Sequence, residues 1–374
     1  MLEFAIDTLR SQDYQVSLAY YEPFSVNPDL SVPVFQLPLF KAVKTNKSES
    51  YFDCESHGVG CWLPELEFTH YWATELWQSL IASHDIHIAV SGSCLAALPF
   101  VQSDTLFLAW VASDWKGDRE HRVKEFPWFR KLLDRLLVRP ILTRLEKQII
   151  ATGNVIALSE PTQAVLNNLV FQQPVKQVLG MPIETSSFKP ASRQQSSKIG
   201  FVGRFEDPRK NLQLLFESMA LLLEHHPNLE LALIGDKLSE DSTRLAKELG
   251  IWHRLSVDKY VNRSLLAQRL NELQVFVLPS HQEGLCIAAL EAMSCGVPVV
   301  STRCGGPESY IISGTNGLLC DSTPASMAAA ITKLLMDRSM HQEMAKAARD
   351  TVLKEFNPDK QAHALLALFE RQFK

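Results

Sequence analysis

The sequence predicts an α/β protein made of two Rossmann-like, doubly wound domains facing a cleft. Short apolar runs alternate with longer amphipathic stretches in both halves of the chain. Between Glu184 and Lys198 the composition shifts to Ser, Gln, Lys and Pro, as in a linker, and the alternation then restarts. At 374 residues the chain is too long for one small core and suits two ordinary domains. The expected boundaries are 1–190 for the first domain and 191–356 for the second. A helix in 357–374, carrying Leu365, Leu366, Leu368 and Phe369, is expected to cross back to the first.

In order, Leu2 to Arg10 predicts an amphipathic helix and Val16 to Tyr20 a strand. Leu63 to Ser83 predicts one helix, with Leu66, Trp72, Leu76, Trp77 and Leu80 on its apolar face. Strands follow at Ile86 to Val90, Thr105 to Val111 and Val155 to Leu158, and a helix at Pro161 to Leu169. In the second half the expected strands are 198–202, 229–234, 275–278 and 298–301. Helices are expected over 211–225, 240–250, 263–272 and 285–294, before three closing helices. Strands alternating with helices imply a mostly parallel sheet, whose ligands bind beyond the carboxyl ends of the strands.

Apolar content of 46% and charged content of 21% are those of a globular enzyme. A net charge of −5 and pI of 6.1 leave no nucleic-acid footprint. The 7 cysteines are odd in number and scattered, which points to reduced thiols and a cytoplasmic setting. The first residues, Met1 to Asp7, carry acids where a signal peptide carries bases, and no apolar run is long enough to span a bilayer. Cys54, His57 and Cys61 lack a fourth ligand and paired spacing, so no metal site is expected. Neither a P-loop, nor a dinucleotide fingerprint, nor a nucleophile elbow is present.

The chemistry concentrates between Pro279 and Glu308. After the apolar strand 275–278, a loop leads into Leu285–Met293, apolar except for Glu291. Glu283 and Glu291 lie eight residues apart, about 12 Å along a helix. A carboxylate pair flanking one glycosidic bond sits at about 5 to 9.5 Å, so this spacing instead suits two acids gripping different ends of one extended ligand. Between them a helix N-terminus over Gly284 to Ile287 favours an anion such as phosphate. A nucleotide sugar fits that description. The competing reading makes Glu283 a helix cap and Glu291 a satisfied core acid.

Gly203-Arg204-Phe205 follows the first strand of the second domain, and Lys210 opens its first helix. Arg204 and Lys210 can converge on one diphosphate, Arg through its planar fork and Lys as a point charge. A solvated basic loop is the other reading.

Taken together, Gly203-Arg204, Lys210-Asn211, Gly235-Asp236, Pro279-Ser280-x-x-Glu283-Gly284, Glu291-Ala-Met293, Gly296-x-Pro298, Gly305-Gly306 and Asn316-Gly317-Leu318 resemble family 4 of the retaining, GT-B-fold glycosyltransferases. The resemblance implies transfer of a hexose-type sugar from a nucleoside-diphosphate donor to a saccharide or lipid-linked saccharide, with retention of configuration. It makes Arg204 and Lys210 the pair that stabilises the leaving diphosphate. Glu291 is then the acid facing the nucleotide ribose and Glu283 the one facing the transferred sugar, with the backbone of Gly284, Leu285, Cys286 and Ile287 at the phosphate. No metal, cofactor or protein nucleophile is implied, and the donor is a UDP- or GDP-sugar.

Two departures stand out. Cys286 occupies a position where the family often has Gly. The family also opens on a strand and a Gly-rich turn, and Met1 to Arg10 resembles the helix after them. Losing a central strand would expose strand edges, so either the true start lies upstream of Met1 or the first domain is rearranged; the first is the expectation. Alternatives to the transferase are a weak or inactive donor-binding partner subunit and a sugar-nucleotide epimerase of the same fold.

On the acceptor side, Asp114 follows the strand ending at Val111 and is a candidate contact for an acceptor hydroxyl, or a structural loop acid. From Trp115 to Lys147 ten bases meet five acids, with Phe126, Trp128 and Phe129 among them. Such a segment can rest on an anionic membrane surface, or can be an ordinary solvated basic face. The expected location is cytoplasmic, with a peripheral contact to the inner face of the membrane where the first of these two readings holds.

Overall fold

The computed structural model describes residues 1–39, 41–124, 126–172, 174–191 and 197–374. It divides into two units, Met1–Leu179 with Ala362–Lys374, and Gly180–Gln361. Residues 192–196 of the expected linker lie outside the described residues.

In the first unit, helix α1 (Leu2–Arg10) buries Ala5, Ile6 and Leu9, the face its sequence period sets out. Strand β1 (Ser17–Tyr21) follows. Strands β2 (Thr45–Tyr51) and β3 (Cys54–Val59) form a hairpin whose turn holds Phe52 and Asp53 at positive φ. The sequence reading passes over this hairpin, because Thr-Asn-Lys-Ser-Glu-Ser-Tyr offers no apolar alternation. The helix expected from Leu63 to Ser83 forms only in its second half, as α2 (Glu75–Ala82). Leu63 is left-handed (φ 55) and precedes a proline, and Thr74 is extended, so no continuous helix can run through them.

Strands β4 (Ile88–Ser91), β5 (Leu108–Val111), β6 (Val155–Ala157) and β7 (Gln177–Val178) make a parallel sheet in that order. A core cluster that includes Ala89, Leu98, Phe107, Ala109, Ile149 and Leu166 packs against it. The helices between these strands are α3 (Leu98–Gln102), α4 (Trp115–Lys124), α5 (Trp128–Leu133) and α6 (Arg139–Ala151), and α7 (Glu160–Asn167) lies between β6 and β7. Buried Arg119 ties α4 to its surroundings through Glu67, at 2.6 Å, and Asp134. In contrast, Trp128, Phe129 and Leu136 are 77%, 60% and 69% exposed.

The second unit repeats the strand and helix alternation through β8 (Lys198–Gly203), α8 (Leu212–Leu223), β9 (Glu230–Gly235), α9 (Glu240–Glu248) and β10 (Leu255–Lys259). It continues with α10 (Arg263–Asn271), β11 (Val275–Leu278), α11 (Ile287–Ser294), β12 (Val299–Thr302) and β13 (Leu318–Cys320). All six strands are parallel, in the order β10, β9, β8, β11, β12, β13. Strands β11 and β12 are buried at every position, as Val-rich central strands of a sheet covered on both faces must be. Strands β10 and β13 were not expected from sequence, since the first is half-polar and the second has only three residues.

Helices α12 (Pro324–Met336) and α13 (Arg338–Glu355) close the unit, and α14 (Pro358–Phe373) runs from it into the first. There Phe369 meets the ring of Tyr14 edge-on at 5.1 Å, and the Gln372 side chain donates to Phe107 O. Among the described residues no helix is long and apolar enough to cross a membrane, and no cluster of three His, Cys, Asp or Glu side chains could hold a metal. All seven cysteines are free thiols.

Candidate functional site

In the second sheet the strand order turns at the β8–β11 pair, with β9 and β10 to one side and β12 and β13 to the other. Loops leaving the carboxyl ends of β8 and β11 therefore diverge there, which is where open α/β sheets bind ligands. Each loop is locked by its own sequence. After β8, Asp207 accepts from the amide of Arg209 and from its guanidinium at 2.7 Å. Burial opposes ionisation of this carboxyl, but the bonds and charge of Arg209 outweigh it and hold the pKa below the usual range. Asn211 then takes a left-handed conformation (φ 51), which Asn tolerates, and its side chain caps α8 through Leu214 N.

The same Asn211 side chain donates to Pro279 O at 3.3 Å, and His281 N donates to Arg209 O at 2.7 Å. Two segments some seventy residues apart in sequence are thus stitched together. Across the seam Lys210 Nζ lies 2.7 Å from Glu283 Oε1, and the Ser280 hydroxyl donates to the same oxygen at 2.6 Å. The two charged side chains are 17% and 8% exposed, so their attraction is little screened by water.

Behind the loop, Glu283 N donates to Cys304 O and Gly306 N donates to Glu283 O. A β-carbon on Gly306 would stand 2.5 Å from Gly284 O, and Gly305 adopts φ 97, so this backing segment requires its two glycines.

Cys286, at φ 64, separates the loop from α11. The helix expected from residue 285 therefore begins at Ile287, because a left-handed residue cannot continue a right-handed turn. It follows that Glu283 and Glu291 are not eight positions along one helix. Glu283 lies on the loop, in a bridge to Gly305, and only Glu291 is helical. Although Cys286 as a residue is only half-buried, its thiol is desolvated, and burial first, then the charge of Glu283, push its pKa well above the ordinary value.

Glu291 is 9% exposed, and burial pushes its pKa up to about 7, with the positive charge of Arg263 opposing. Among the described residues no donor bonds its carboxylate and no base lies within ion-pair distance. Arg263, at the start of α10, is engaged elsewhere, 3.6 Å from Glu184 and over the ring of Phe188. No motif or spacing in the sequence marks Arg263. Ser280 is visible as part of the Pro-Ser-x-x-Glu pattern, but its bond to Glu283 is not.

The remaining candidates are placed differently. Arg204, just past Gly203 at the end of β8, is 72% exposed and pairs with Asp207 at 3.1 Å. Among the described residues it forms no hydrogen bond or ion pair with Lys210 or Glu283. Asp114 belongs to the first unit, where it is 9% exposed and accepts from Gly117 N at 3.0 Å, the bond of a helix-capping acid. Gly284 and Leu285 precede the N-cap Cys286, and Ile287 is the first residue of α11.

Residues 182–351 match the family described as glycosyl transferases group 1. A D-inositol 3-phosphate glycosyltransferase from Corynebacterium jeikeium is 34% identical over 181 residues, 46% of this chain and 43% of that protein. The lipopolysaccharide core biosynthesis glycosyltransferase LpsE of Rhizobium meliloti is 33% identical over 45% of this chain and 48% of its own. The chain thus spans less than half the length of these curated relatives. Among solved structures, sucrose-phosphate synthase from Thermosynechococcus elongatus superposes with a TM-score of 0.74 at 19% identity, covering 98% of this chain and 91% of that one. Anabaena HepE, solved in complex with UDP-glucose, gives 0.66 at 14% identity over 86% and 87%. These likenesses give the chain a GT-B fold, two Rossmann-like domains in tandem.

Proposed function

From the match of residues 182–351 to glycosyl transferases group 1, we propose that this chain moves a hexose-type sugar from a UDP- or GDP-sugar to a saccharide or lipid-linked saccharide. The observation that carries the reading is Glu291. A buried acid with no donor from the protein is costly unless a ligand supplies one, and the hydroxyls of a nucleotide ribose are suitable donors.

The donor's diphosphate lies against Lys210, Arg204 and the amides of Gly284 to Ile287. In the ligand-free chain Lys210 is held by Glu283. An arriving diphosphate competes for the ammonium group and leaves Glu283 to accept from sugar hydroxyls. The bond from the anomeric carbon to the diphosphate oxygen then breaks, and the acceptor oxygen bonds the same face of that carbon. The acceptor's proton passes to the departing phosphate oxygen, giving a glycoside with retained configuration and a nucleoside diphosphate. Basic side chains and a helix terminus supply the charge stabilisation that a divalent ion supplies in other transferases.

For a lipid-linked acceptor, the face formed by Trp128, Phe129 and Leu136 beside Arg130, Lys131 and Arg135, all exposed, matches an anionic bilayer. Co-sedimentation with anionic vesicles at low salt tests that contact, and absence of binding rejects it.

Thermal melting with UDP, GDP and ADP, followed by nucleotide release from the matching sugar donors with and without acceptors, tests the main proposal. Stabilisation by UDP or GDP and acceptor-dependent release are expected. A chain that no nucleotide stabilises overturns it, and turnover without any acceptor requirement replaces transfer by epimerisation or hydrolysis.

A further inference from the structure

On α11 the neighbours Ala289, Leu290, Ala292 and Met293 are fully buried, and Glu291 stands among them. Of the elements packed around it, strands β11 and β12 carry no ionisable side chain. Helix α13 meets α11 through Arg349, whose guanidinium donates to Phe188 O and Ser294 O at 2.6 Å and to Thr185 O at 3.2 Å. On α10, Arg269 pairs with Asp258 and Glu272. Arg263, the first residue of α10, is left as the one charge acting on Glu291 among the described residues. Its place is set by Asn262, which caps the helix through Leu265 N at 2.9 Å. Glu184, at 3.6 Å, and the ring of Phe188, 5.8 Å from the guanidinium carbon, hold it outside ion-pair distance of Glu291.

A buried carboxylate that neither a donor nor a paired base supports is costly, and such a group escapes the cost by taking a proton. A hydroxyl donated to it reverses the preference, since a hydrogen bond to the charged form is the stronger one. Resting on the nucleotide-sugar reading above, we propose that Glu291 holds a proton while no donor is bound and sheds it when a ribose hydroxyl donates to it, with Arg263 as the positioning residue that sets where this exchange falls. The carboxyl O–H bond breaks, its proton leaves to water, and the ribose hydroxyl bonds the freed oxygen. Binding that releases a proton tightens as pH rises, here through the folded value of about 7. The positive charge of Arg263 opposes burial and keeps that value from rising further. Tethered by Glu184 and Phe188, the guanidinium acts through space and leaves both carboxylate oxygens to the ribose.

Calorimetry of UDP-glucose and GDP-mannose in buffers of different ionisation enthalpy tests this, because their diphosphates are esterified at both ends and exchange no proton near neutrality. Most of one proton is expected to leave per ligand bound at pH 6 and almost none at pH 9, with affinity about tenfold weaker at pH 6. Glu291→Gln should bind without release and without that slope. Arg263→Gln should carry both to higher pH, weakening binding about threefold at pH 7 and leaving pH 9 unchanged, and Arg263→Lys should restore the parent curve. No change in Arg263→Gln, or an equal loss at every pH, overturns the positioning role. Binding by the parent without proton release, or release that persists in Glu291→Gln, overturns the proposal and leaves the nucleotide-sugar reading standing. A chain that binds neither ligand at any pH overturns both.

Discussion

The two units use the same alternation of strand and helix, yet they reach different degrees of closure. In the second, one sheet of six parallel strands runs unbroken, and β11 and β12 are buried at every position. In the first, the strands divide into two sheets, and the two that flank the division are half-buried although their sequences, Ser-Leu-Ala-Tyr-Tyr and Ile-Ala-Val-Ser, are mostly apolar. Burial of a strand is thus set by its neighbours as much as by its composition.

Each unit also buries one acid with a raised pKa. Glu146 is pushed to about 8 by burial first and by the charge of Asp114, even though Trp115 N donates to it at 2.9 Å. Glu291 is pushed to about 7 by burial, with no protein donor. The acid of the first unit is integrated into its own unit's hydrogen bonding, whereas that of the second has no such bond among the described residues.

The contrast can be broken most directly by truncating the sheets. Phe276→Ala, at a fully buried position of β11, should cost about 3–5 kcal/mol. Leu18→Ala, on the half-buried β1, should cost only about 1 kcal/mol, and denaturant melts of both variants check the gap.

The two acids give the next largest effect. For a carboxyl whose folded pKa is raised, the stabilising contribution is full below the ordinary value of 4.5 and is lost as pH rises through the folded value. Stability should therefore fall between pH 4.5 and about 7 through Glu291, and up to about 8 through Glu146. Glu291→Gln should remove the first fall, a difference on the order of 3 kcal/mol above neutral pH. Urea melts from pH 5 to 9 should show the variant overtaking the parent, and parallel curves would contradict the assignment. Because its oxygen still accepts from Trp115 N, Glu146→Gln should likewise flatten the higher part of the profile.

Smaller effects follow for the ligand. Lys210→Ala and Glu291→Ala should each weaken UDP or GDP binding by about 1–3 kcal/mol in calorimetry, the worth of a charge-assisted hydrogen bond. Arg204→Ala should cost less binding than Lys210→Ala, since the guanidinium is largely in water when no ligand is present. Equal losses in the two would show that Arg204 closes onto the ligand.

Much of the second unit was legible because its sequence carries backbone demands. Val275–Leu278 reads as a buried strand, and Gly305-Gly306 stands out as part of the family pattern, although its close approach to Gly284 is seen only in the structure. The contact between Lys210 and Glu283 was not legible, because a separation of seventy-three residues is bridged only by the fold and by Asn211. Nor was the late start of α11, at Ile287 after a left-handed Cys286, since Cys rarely adopts positive φ and nothing in its neighbours announces it. In the first unit the hairpin β2–β3 escaped notice because its first strand is polar throughout, and the split helix at Leu63–Thr74 because apolar spacing persists where the backbone does not.

If the proposed function holds, the Lys210–Glu283 pair, finally, decides which anions the resting site accepts. Free phosphate or sulfate approaching this ammonium group must displace a carboxylate already 2.7 Å away and then sit beside it uncompensated, anion against anion. A ligand that offers hydroxyls along with its phosphates can satisfy both members at once. On the proposed function, the pair would thereby disfavour small anions that share only half of a nucleotide sugar's chemistry.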